Sequence, residues 1–80
     1  MTGAQSLARW APTRGERERA VVAMRQCARE LRARSAATER DLDAERRTGG
    51  GRATRQVGLF AQARALAYAA DEIDALADSL

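Results

Sequence analysis

Apolar and small residues recur along two stretches of this chain at alternating steps of three and four. Val21, Met24, Ala28, Leu31, Ser35, Thr38 and Leu42 form the first run, and Leu59, Ala63, Leu66, Ala70, Ile73, Ala77 and Leu80 the second. Alternating steps of three and four average 3.5 residues, the repeat of a helix stripe that packs against a single partner helix. Each stretch therefore predicts a long helix with a narrow seam, the residues between seam positions being mostly Arg, Asp, Glu and Ala.

The breakers fall outside these runs. Pro12 is the one proline, and Gly49 to Gly51 are the one strong interruption. Thr13 followed by Glu16 has the spacing of a capping box, in which hydroxyl and carboxylate satisfy helix N–H groups reciprocally. These marks predict helix 1 over 14–47, a glycine turn over 48–51 and helix 2 over 52–79, with Thr54 or Gly51 as its cap and Gly58 as a weak spot. Residues 13–80 then form one helical hairpin. Residues 1–12 precede it as a short helix or a mobile tail, with Leu7 and Trp10 at helical spacing behind Ser6.

Folding the chain back at the glycines pairs each seam residue of helix 1 with one of helix 2, and in every layer the two residue numbers total 101. Val21 meets Leu80, Leu31 meets Ala70, Ser35 meets Leu66 and Leu42 meets Leu59. Most layers set a small or short polar side chain against another residue, which lets the helices approach closely. The midpoint of the register falls within the glycines. The fold class expected is all-α, an antiparallel, coiled-coil-like two-helix hairpin.

Composition changes the picture in one respect. The chain is 45% hydrophobic over 80 residues, but Ala supplies 19 of those positions, and Val, Ile, Leu and Phe together number only 12. That is thin for a self-sufficient core. The hairpin is therefore expected to be completed by self-association or by a partner helix. Phe60 and Leu76 are expected to add to the seam from its flanks, and Cys27 to be a buried thiol facing Leu76.

Charge supports the antiparallel arrangement. The net charge is +3, from 14 basic and 11 acidic residues, with the acids Asp71, Glu72, Asp74 and Asp78 concentrated near the C-terminus. The fold sets these beside the basic start of helix 1, with Arg25 facing Asp74 across the seam and Arg29 close to the same acids. Helix register is where such pairs act, since an exposed ion pair stabilises by only about 0 to 1 kcal/mol.

Candidate chemistry is sparse. The chain contains neither His nor Lys, which removes the commonest general base, the usual metal imidazole and the lysine of a phosphate-binding loop. One Cys gives neither a disulfide framework nor a thiolate metal cluster. No enzyme, cofactor, metal or small-molecule substrate is expected. No apolar run approaches the length of a membrane span, and Arg9 and Arg14 interrupt any secretory core, so a cytoplasmic location is the default. Arg-only basicity with many Ala and Gly reads as the codon bias of a GC-rich, bacterial genome.

Two surfaces remain as candidates. Arg46, Arg47, Arg52 and Arg55 surround the glycine turn and point to phosphate or nucleic acid. Interspersed acids and the lack of interleaved aromatics on helix 1 count against that reading. The other surface is the smooth, Ala-rich outer side of the hairpin, where Tyr68, Val57 and Val22 point away from the seam; Trp10 and Leu7 supply a further apolar pair. The function expected is thus a non-enzymatic helical protein–protein interaction module or small assembly subunit, with a nucleic-acid-binding accessory protein as the alternative.

Overall fold

A computed structural model describes residues 11–49 and 52–80. It consists of two α-helices, α1 (Arg14–Thr48) and α2 (Ala53–Ser79), packed along one another as an antiparallel all-α hairpin. No strand occurs among the described residues. Leu7 and Trp10 lie outside them, as do Gly50 and Gly51.

Helix α1 is well terminated at both ends. The Thr13 backbone is extended (φ −66°, ψ 164°), and its hydroxyl accepts the Glu16 N–H at 3.1 Å while its own N–H donates to Glu16 Oε1 at 3.3 Å. Glu16 in the first turn and Arg46 and Arg47 in the last also oppose the helix dipole favourably. Gly49 closes the helix at φ 64°, ψ 6°, in the left-handed region where a side chain is costly.

Helix α2 is terminated less well. Thr54 does not cap it, and the other candidate, Gly51, lies outside the described residues: Arg52 occupies the cap in extended conformation with no side-chain hydrogen bond, and Thr54 lies within the first turn. A cap contributes only about 1 kcal/mol, so packing of the seam decides where the helix begins. Its first turn holds no acid and its last no base. The C-terminal turn is tightened instead by Leu80 N–H donating to the Ala77 carbonyl at 3.2 Å.

The seam is where the periodicity places it. All the buried described residues, namely Ala28, Ser35, Thr38, Leu42, Ala63, Ala70 and Ala77, belong to the two 3.5-residue runs. Leu42 is the one large apolar side chain among them, at 4% exposed, whereas Ala28 and Ala70 are fully covered. The larger seam residues Val21, Met24, Leu31, Leu59, Leu66 and Ile73 are half-buried. Small residues at the centre bring the backbones close enough for the Ser35 hydroxyl to donate across the seam to the Ala63 carbonyl at 2.8 Å. Thr38 satisfies its hydroxyl within α1, on the Arg34 carbonyl at 2.9 Å.

Three flanking expectations do not hold. Phe60 and Leu76 are 54% and 56% exposed, and Cys27 is exposed rather than a buried thiol. The reason is geometric. The thinnest extent of the molecule is 13 Å, a single layer, so only the stripe directly between the helices is covered and residues about 100° away from it face solvent.

Candidate protein interface

The two sides of the hairpin differ in how they are finished. On one, a chain of ion pairs crosses between the helices: Arg25 Nη1 reaches Asp74 Oδ1 at 3.0 Å and its other nitrogen binds Asp78, while Arg32 reaches Asp71 at 3.0 Å and Asp74 Oδ2 at 2.6 Å. Arg25 and Arg32 are seven residues apart and so share a flank of α1. Arg29 lies off that flank, exposed, and Arg32 takes the place the sequence suggested for it. Asp74 is the hub, bound by one arginine on each oxygen, and its side chain is only 24% exposed. The guanidinium of Arg32, and then that of Arg25, holds the Asp74 carboxyl below its ordinary pKa. Donation to Asp78 and then Asp74 correspondingly raises the pKa of Arg25.

These cross-helix contacts bracket the seam register. Ser35 with Ala63, Arg25 with Asp74 and Arg55 with Glu45 fall slightly to one side of the layer pairing, and Arg32 with Asp71 slightly to the other.

At the tip, Arg46, Arg47, Arg52 and Arg55 are all exposed, but they are not equivalent. Arg55 is bound to Glu45 Oε1, and Arg47 Nε leans back on the Asp43 carbonyl at 3.4 Å. The other Glu45 oxygen is buried without a hydrogen-bond partner among the described residues. The acid of Glu45 thus offsets part of the positive charge that four arginines suggest.

Among the described residues, the exposed large apolar ones are Val22, Val57, Phe60, Tyr68, Leu76 and Leu80. Val22, Val57 and Tyr68, expected to face outward, are 63%, 67% and 67% exposed. They do not converge. Val22 lines shallow depressions at the open end of the hairpin, one of them shared with Val21 and Leu80. Val57 and Phe60 line another at the tip with Arg46, and Tyr68 lies mid-helix in a further one with Arg64, Ala67 and Asp71. Phe60 was missed as a surface residue because it directly follows the seam residue Leu59; one helical step of 100° turns it to the outside.

The outward faces of the two helices are unlike. That of α1 carries Arg19, Arg29, Arg40, Asp43 and Arg47. The strip of α2 running Gly58, Ala61, Ala65, Tyr68, Glu72, Ala75 and Ser79, at steps of three and four, holds a single charge. Among the described residues no group of acids or cysteine is placed to hold a metal ion, and no helix is long and apolar enough to cross a membrane. What the fold and surface define is a small all-α helical hairpin with an exposed α2 face on which Tyr68 and small residues lie between Arg64, Asp71 and Glu72. Compared with known proteins, the chain matches no family model, no curated protein and no solved structure.

Proposed function

We propose that this chain is a non-enzymatic helical protein–protein interaction module, a small assembly or adaptor subunit, that binds through the outer face of α2. The observation that carries this reading is Tyr68, 67% exposed in the middle of a strip whose other members, apart from Glu72, are small residues. Aromatic rings are enriched at interface hot spots, and alanines beside one let a partner helix approach closely. The seam has no further capacity, since its central positions are already covered by the opposite helix.

Tyr68→Glu tests the reading. In a chain whose hairpin is held closed by a disulfide between cysteines introduced at positions 35 and 66 (Ser35→Cys, Leu66→Cys), with Cys27 replaced by Ala, helicity should be unchanged, whereas self-association in sedimentation velocity or co-purification of a host protein should be lost. Val57→Glu is the second test, at the tip end. Retention of both associations by both variants would remove the outer face from the interaction.

The second reading, a nucleic-acid-binding accessory protein, is favoured by the exposed Arg46, Arg47 and Arg52 at the tip. Replacing Arg46, Arg47, Arg52 and Arg55 together with Gln should then abolish a salt-sensitive interaction with RNA or DNA. The pairing of Arg55 with Glu45 weakens this reading. No measurable binding is expected at physiological salt, and micromolar affinity that falls steeply with added salt would reverse the ranking.

A further inference from the structure

Two pairs of positions related by reversal about Tyr68 are complementary: Arg64 with Glu72 in charge, and Ala61 with Ala75 in size. Arg64 precedes Tyr68 by four residues and Glu72 follows it by four; Ala65 and Asp71 stand three before and three after; Ala61 and Ala75 stand seven before and seven after. Spacings of three, four and seven place all six on the face that Tyr68 occupies. Arg64 and Glu72 are exposed, and no ion pair among the described residues engages either one. A shallow depression lined by Arg64, Ala65, Ala67 and Asp71 lies beside the Tyr68 ring.

Resting on the interaction reading, we propose that the occupant of this face is a second copy of the chain, packed α2 against α2 in antiparallel orientation about a two-fold axis at Tyr68. Such an interface is isologous, so each residue meets its mirror position. Arg64 of each copy then lies beside Glu72 of the other, with Asp71 adjacent. Ala61 meets Ala75 at both ends, where small side chains allow close contact. The two Tyr68 rings lie side by side at the axis, each over the depression next to the other. A parallel arrangement would set Arg64 against Arg64 and Glu72 against Glu72, so charge selects the antiparallel one. One helix face buries less than a standard interface, which puts the dimer in the weak, micromolar class.

Charge exchange tests this in the full chain by sedimentation velocity. Arg64→Glu alone sets carboxylate against carboxylate in both mirror pairs and Glu72→Arg alone guanidinium against guanidinium, and each is expected to weaken self-association at least about tenfold. Mixed in equal amounts, the two variants are expected to dimerise with each other to within about threefold of the parent, because every mirror pair is again of opposite sign. Both positions are exposed, and circular dichroism of each variant checks that helicity is kept. A parent chain that stays monomeric at high micromolar concentration overturns the second copy while leaving a different protein partner, tested through Tyr68→Glu, standing. A parent dimer indifferent to either variant, or a mixture that fails to reassociate, overturns the two-fold at Tyr68.

Discussion

Gly49 and Gly58 show how differently one residue type acts at two positions in this hairpin. At neither would an added Cβ meet another atom within 4 Å, so space does not distinguish them. Backbone does: Gly49 has φ 64°, and Gly58 lies inside α2. Gly49→Ala is expected to destabilise the hairpin by about 1 to 2 kcal/mol, the cost of a left-handed L-residue. Gly58→Ala is expected to stabilise it by about 0.5 to 1 kcal/mol, the gain in helix propensity. Urea denaturation of the two variants beside the parent checks both signs. At the uncapped start of α2, Arg52→Asp supplies a side-chain acceptor and a negative charge, and should add about 1 kcal/mol by the same measurement. The capping box at Thr13 was readable from spacing alone because both partners lie within four residues. The identity of the α2 cap was not, since Thr54 and Arg52 are close competitors and only the packed seam chooses between them.

The two helices differ in how far each can stand alone. Helix α1 has its acid at the N-terminal end and its bases at the C-terminal end, in accord with the helix dipole. Helix α2 is charged the wrong way, with Arg52 and Arg55 at its start and Asp74 and Asp78 toward its end, and it relies on α1 for opposite charges: Glu45 at one end, Arg25 and Arg32 at the other. A peptide of residues 12–49 should therefore be more helical by circular dichroism than one of residues 52–80, and added salt should narrow the difference by screening the adverse charges. Within the hairpin, the Asp74 carboxyl titrates below its ordinary value of 3.8 because Arg32 and Arg25 bind its ionised form. A carboxyl depressed in the folded state contributes stability that is present above its unfolded pKa and lost as pH falls through the folded one. The urea midpoint should thus fall on acidification below about pH 4, and Asp74→Asn should reduce that dependence. The pairing of Arg25 with Asp74 was legible from seam geometry; that Arg32 rather than Arg29 completes the network depends on side-chain reach, which spacing does not specify.

At the scale of the whole molecule, a single layer of two helices leaves large apolar side chains on its surface. The periodicity was sufficient to place the seam because a 3.5-residue repeat has one geometric solution in a hairpin. It was insufficient for Phe60, Leu76 and Cys27, whose burial depends on whether another layer covers the flanks. If such a layer forms through the outer face, apparent stability is linked to protein concentration by mass action. The thermal midpoint should rise with concentration in the parent and become independent of it in Tyr68→Glu. All of this rests on the closed hairpin in its register, and disulfide trapping tests that most directly. With Cys27 replaced by Ala, cysteines at positions 35 and 66 should crosslink readily within one chain under mild oxidation, while cysteines at 35 and 80 should not. Equal yields from the two pairs would mean that the helices slide or part, and the register, with the outward placement of Tyr68, would be contradicted.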